Sequence, residues 1–157
     1  MTPAAVVFDM DGVVVDSEDY WKHEVADILA EAVPDADVDP SAVVGVNVYD
    51  QYAWLDEEYD VAVSREAYFE RYDRHAETVY TERVTLLEGF HDLRAETRAR
   101  DRPLGLVTSS FPSWVAAVFE RFDLADAFDV AVIAGEEDVP GKPDSALYEL
   151  AAERFGV

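Results

Sequence analysis

A chain of 157 residues, half of them apolar, is long enough for one domain with a real core, or for a smaller core carrying an insert, and is too apolar for disorder. Thirty-five acids against twelve Lys and Arg leave a net charge of −23 spread along the chain, which disfavours nucleic acid and anionic membranes as partners. With no cysteine, disulfides, thiolate metal sites and thiol nucleophiles are excluded; no apolar run approaches a membrane span and no basic-then-apolar leader opens the chain, so the expectation is a cytoplasmic enzyme.

In chain order, Ala4-Ala5-Val6-Val7-Phe8 is a continuous apolar run of the kind that forms a strand buried on both faces in a parallel sheet. Ser17 is placed to cap a helix whose apolar positions Trp21, Val25, Ile28, Leu29 and Ala32 share one face. The stretch from Pro34 to Pro40 breaks it. Two more helices are predicted, one around Tyr49–Glu58 and one from about Arg65 to Tyr80, with Tyr68, Phe69, Tyr72, Ala76 and Val79 on one side. No strand is predicted between Asp16 and about Arg83. Phe90–Arg100 reads as a helix and Pro103–Thr108 as a second buried strand. Trp114, Val115, Val118, Phe119 and Phe122 give another helix face, and Val130–Ala134 a third strand. Pro143 suits the start of a last helix, with Leu147, Leu150, Ala151 and Phe155 as its face and Gly156 as its stop. This order predicts an α/β, Rossmann-like parallel core of three strands, from residues 1–15 and 84–157, with an all-helical domain inserted at 16–83.

The sharpest chemical feature is Asp9-Met10-Asp11-Gly12-Val13, directly after the first strand. Ligands of parallel sheets sit at the carboxyl ends of the strands, so both carboxylates are expected in the crevice there. One can attack phosphorus as a nucleophile and the other can move the proton. An Asp-rich turn remains the plain alternative; a calcium loop is disfavoured because Tyr20 stands where its closing Glu belongs. The second strand ends in Thr108-Ser109-Ser110, hydroxyls that with nearby N–H groups can hold phosphoryl oxygens. Capping of the next helix by Ser110 or Ser113 would explain one of them. Gly141-Lys142-Pro143-Asp144 follows the third strand and sets a lysine before a proline-started helix, a pairing that favours a dianion. A solvated lysine is the plain alternative, and it loses weight in a chain whose lysines are only Lys22 and Lys142.

Together these three segments resemble the haloacid dehalogenase superfamily, in the helical-cap branch that includes phosphoglycolate phosphatase-like and β-phosphoglucomutase-like enzymes. The resemblance implies that Asp9 attacks phosphorus and binds Mg²⁺, and that Asp11 lends the metal its backbone carbonyl and serves as acid and base. Thr108 and Ser109 would hold phosphate, and Lys142 would steady nucleophile and phosphate. Val44-Gly45-Val46-Asn47 resembles the cap segment that approaches substrate, with Asn47 as the contact. The implied activity is hydrolysis of a small phosphorylated metabolite through an aspartyl-phosphate. Trp21 stands near where the family's mutases carry a histidine, and His23 reads as a helix-surface residue, so hydrolysis is expected over sugar-phosphate mutase chemistry. His75 and His91 read as structural. The Tyr49, Tyr52, Trp54 and Tyr59 cluster reads as packing within the insert.

The family's fourth motif, an acidic pair that completes the metal site, lies beyond the fifteen residues that follow Lys142. The first strand is then expected at a sheet edge, although built for burial on both faces, and an uncovered apolar edge invites association. The expectations are a piece of a longer protein, a cover from another source in a monomer or homodimer, or a phosphate-binding or assembly protein without turnover. The acidic, lysine-poor composition also resembles proteins of salt-loving archaea, where a Debye length of about 3 Å near 1 M salt screens self-repulsion.

Overall fold

The computed structural model describes residues 4–157. Three short parallel strands, β1 (Val6–Phe8), β2 (Leu104–Thr108) and β3 (Val130–Ile133), form one sheet in the order β1-β2-β3. Val6 lies opposite Leu104 and Phe8 opposite Leu106; Gly105 pairs with Val130 and Thr108 with Ile133. β2 is central and buried at every position, which is why its sequence is apolar without alternation. β1 is an edge of the described sheet, with Val7 37% exposed. It begins two residues later than its apolar run, at the Val6 N–H bond to Pro103 O. Because the strands are parallel, Asp9, Thr108 and Ala134 all emerge at one rim.

Successive β2 side chains face opposite sides. Leu104 and Leu106 join the main core, which runs from Phe8 and Met10 through to Tyr68 and Tyr72. Val107 joins a smaller core with Val132, Leu147 and Ala151. On that side the Phe155 ring lies over Gly105, where a Cβ would come within 2.8 Å of it. Only glycine permits that approach.

Between β1 and β2 lie α1 (Glu18–Ala32), α2 (Val48–Glu58), α3 (Arg65–Thr78) and α4 (Phe90–Ala99). α1 buries Ile28, Leu29 and Ala32 as its apolar spacing requires, but leaves Trp21 and Val25 half-exposed. α2 is capped by the Asn47 side chain, which accepts the Asp50 N–H, and α3 by Ser64, which accepts that of Ala67. α3 stops at Thr78, short of the predicted Tyr80. The chain then widens into a π-helical turn, Val79–Arg83, that turns Tyr80 inward.

α5 (Pro112–Phe122) starts on its proline and buries Trp114, Val115 and Val118. The last helix, α6 (Ala146–Phe155), ends at Gly156 in the left-handed region as expected, but does not start at Pro143. Asp144 accepts the Ala146 N–H at 2.9 Å and gives its own N–H to Gly141 O, so residues 141–144 form a turn ahead of the helix. Among the described residues no helix is long and apolar enough to cross a membrane.

Candidate active site

Gly12, at φ +72°, turns the chain away just after Asp11, a conformation that side chains resist. Asp9 Oδ1 accepts the Met10 N–H at 2.8 Å, and its Oδ2 lies 2.8 Å from Lys142 Nζ. The Asp9 side chain is 37% exposed and so remains open to the cleft. Lys142 reaches it from the turn before α6 and also donates to Val107 O at 3.0 Å. Its charge is therefore fixed by the carboxyl end of β2 and not by a helix terminus, which corrects the dipole expectation.

Asp11 is partly buried and accepts three hydroxyls: Ser17 Oγ at 2.5 Å, Tyr80 OH at 2.6 Å and Ser110 Oγ at 2.5 Å. Burial pushes its carboxyl above the ordinary value, and the hydroxyls offset this only in part. Tyr80 is held well above its own usual value, by burial first and then by the Asp11 charge, so it stays a donor. Trp21 Nε1 in turn donates to Tyr80 OH at 3.0 Å. Two expectations change here. Ser17 sits at the N-cap of α1 but makes no cap bond, and Ser110 does not cap α5, whose N-cap is Phe111. Both hydroxyls belong to Asp11.

The hydroxyls after β2 thus divide. Thr108 is fully buried and its Oγ1 accepts the Ser110 N–H at 3.1 Å; Ser110 holds Asp11; Ser109 Oγ is buried with no partner among the described residues. An unpaired buried hydroxyl beside a cleft is available to a ligand oxygen. A cavity of about 450 Å³ is lined by Asp9, Asp11, Thr108, Ser109 and Asn47 together. Asn47 also lines an adjoining cleft with Lys142, and its amide lies against Gly141, where a Cβ would come within 2.6 Å. All the candidate residues from the sequence therefore meet in one place.

Sequence reasoning missed Ser17, Tyr80 and Ser110 as partners of Asp11, and Trp21 and Trp114 as cavity walls. His23 is exposed, and His75 pairs with Glu24 at 3.2 Å outside the cavity, where burial lowers its pKa. Tyr52, Trp54 and Tyr59 pack against the core as expected, but Tyr49 is exposed and lines the adjoining cleft with Lys142.

A Rossmann-like sheet with paired aspartates at its carboxyl rim defines the class as an α/β enzyme. The chain belongs to the haloacid dehalogenase-like hydrolases, whose family model matches residues 3–157. It is 29% identical over 155 residues to the phosphorylated carbohydrates phosphatase of Thermotoga maritima, covering 98% of this chain and 71% of that protein. It is 28% identical over 163 residues to hexitol phosphatase B of Escherichia coli K12, covering 98% and 70%. The fold is shared with CbbY from Rhodobacter sphaeroides, solved in complex with phosphate, at a TM-score of 0.76 and 20% identity over 99% of this chain and 74% of that one. By its family the protein is a hydrolase, and these two relatives are phosphatases.

Proposed function

We propose that this enzyme hydrolyses the monoester of a small phosphorylated metabolite, with Asp9 as nucleophile and Asp11 as acid and base. The observation that carries the proposal is an accessible Asp9 carboxylate, steadied by Lys142 at 2.8 Å, beside a partly buried, hydroxyl-held Asp11 whose carboxyl is raised. An Asp9 oxygen attacks phosphorus as the bond from phosphorus to the ester oxygen breaks, and the Asp11 carboxyl gives that oxygen its proton. Asp11, now a carboxylate, takes a proton from the attacking water as the bond from phosphorus to Asp9 breaks. Inorganic phosphate leaves and both aspartates are restored. Lys142, the Ser109 hydroxyl and the N–H groups after β2 offset charge on the phosphoryl oxygens. Ser17, Tyr80 and Ser110 are positioning residues that hold Asp11.

Mg²⁺ is the implied cofactor. The exposed Asp9 carboxylate and the Asp11 backbone carbonyl are hard oxygen donors that fit it, and they would hold it. Among the described residues no three acidic or histidine side chains converge, so waters or further oxygen donors would fill the rest of its shell. When bound, the ion neutralises phosphoryl charge.

Residues 16–83 are the cap and residues 1–15 with 84–157 the core. This division is supported by the pairing of the chain where it leaves the core for the insert with the chain where it returns. Val15 bridges Leu86, the Leu87 N–H bonds to Val14 O at 3.0 Å, and Asp16 accepts both the N–H and the hydroxyl of Thr85. The acid excess supports a high-salt environment, where screening would relieve the −23 charge.

The test is phosphate release from a panel of monoesters with Mg²⁺ in high salt. Asp9→Asn should lower it at least about a thousandfold. Near-normal release by that variant refutes the assignment.

A further inference from the structure

Away from the phosphate end, the cavity is walled by Trp21, Val25, Val43, Val46, Val48 and Trp114. Its deep polar atoms are already paired within the protein, and the Glu18 carboxylate and Ser41 hydroxyl, both on exposed residues, remain open on its lining. Trp21 Nε1 is bonded to Tyr80 OH at 3.0 Å and Trp114 Nε1 to Asp73 Oδ1 at 2.8 Å. Gln51 gives its amide to Val46 O at 2.8 Å and Val43 O at 3.3 Å, and its carbonyl accepts the hydroxyls of Tyr68 and Tyr72. Tyr80 OH is committed to Asp11 and Asn47 Oδ1 to the Asp50 N–H. A ligand reaching past the phosphate end and the Glu18 and Ser41 side chains therefore meets rings and methyl groups.

Charge points the same way. No arginine lines this cavity, and its lysine, Lys22, is 66% exposed at the rim and paired with Asp19 at 2.8 Å. A second phosphate would find no buried cation there, and a polyol would leave the hydroxyls that reach past Glu18 and Ser41 without partners. The volume, about 450 Å³, exceeds what a phosphoryl group alone would fill. Trp21 and Trp114 stack at 5.4 Å, which fixes the wall as a flat aromatic surface.

We propose that this wall is the leaving-group subsite and that it selects esters of apolar alcohols, aryl or alkyl, over polyol, sugar and bisphosphate esters. The proposal rests on the phosphatase function proposed above and adds the chemical class of the substrate. The reaction is unchanged: the apolar alcohol leaves with the proton from Asp11, and phosphate leaves from Asp9.

The experiment compares kcat/KM for benzyl phosphate with that for a hexitol phosphate, then follows n-alkyl phosphates from ethyl to hexyl, with Asp9→Asn as the control. The benzyl ester should exceed the hexitol ester at least about tenfold. Each added methylene should raise kcat/KM about four- to tenfold until the cavity is full, mainly through KM. Asp9-dependent release that is equal or faster from the hexitol ester overturns the apolar subsite and leaves the phosphatase function standing. Absence of Asp9-dependent release from every ester overturns the phosphatase function instead. Binding then decides the subsite, read by quenching of tryptophan fluorescence. Benzylphosphonate should bind at least about tenfold tighter than inorganic phosphate through burial of its ring. Equal affinity, or quenching by neither, contradicts the subsite.

Discussion

The two rims of the sheet use aspartate in opposite ways. At the carboxyl rim, Asp11 is held among three hydroxyls and its carboxyl is raised, while Asp9 stays open to the cleft. At the amino rim, Asp129 sits just before β3 and accepts the Leu104 N–H at 2.8 Å and the Arg98 guanidinium at 2.7 Å. The backbone N–H foremost, then Arg98, hold its carboxyl below the ordinary value. One environment keeps a proton within reach; the other keeps a charge in place to tie β2 to β3. On the proposed mechanism, position along a strand decides whether an acid does chemistry or fastens the fold.

Substitutions at the two rims should therefore separate activity from stability. Asp11→Asn should lower kcat/KM for an alkyl phosphate about 10²- to 10⁴-fold. For p-nitrophenyl phosphate, whose oxygen leaves without needing a proton, the loss should be much smaller. Equal losses for both esters would show that Asp11 is not the acid. Lys142→Ala should reduce kcat/KM about 10²- to 10³-fold for both esters alike, because it removes charge next to the phosphoryl group.

Tyr80→Phe sharpens the comparison. It removes one of the three hydroxyls on Asp11 and leaves Trp21 Nε1 unpaired. We expect kcat for the alkyl ester to fall about tenfold with KM unchanged, and stability to drop about 1–2 kcal/mol. A purely structural tyrosine would lower stability without the split between esters.

Asp129→Ala has the smallest expected effect: unchanged kcat and KM, and a loss of about 1 kcal/mol, discounted because the side chain is 36% exposed. Since folding lowers the Asp129 pKa, its contribution is present above the unfolded value and fades as pH falls through the folded one. Denaturation curves of the variant and the parent should begin to approach each other as pH falls below about 4 and coincide only beneath the folded value.

Much of this arrangement was legible in the sequence. Continuous apolar runs mark buried parallel strands, and strand ends in such a sheet share a rim, so Asp9, Thr108 and Lys142 could be brought together without coordinates. The partners of Asp11 could not. Tyr80 and Ser110 lie 69 and 99 residues away, and a π-helical turn aims the tyrosine. Ser17 carried a misleading local signal, since a serine before an acidic first turn also fits a helix cap. Trp21 and Val25 fit the periodicity of a core face equally well; only the packed shape leaves them half-exposed on a cavity. The start of α6 was misplaced because Asp144 diverts the backbone into a turn that proline spacing does not reveal.

The central claim is that Asp9 carries the phosphoryl group during turnover. Rapid acid quenching with excess ester, followed by mass mapping of the peptides, reads this directly. A phosphoryl adduct should accumulate on Asp9 in the parent enzyme and on no residue of Asp9→Asn. Turnover with no adduct on Asp9, or an adduct on another side chain, would contradict it.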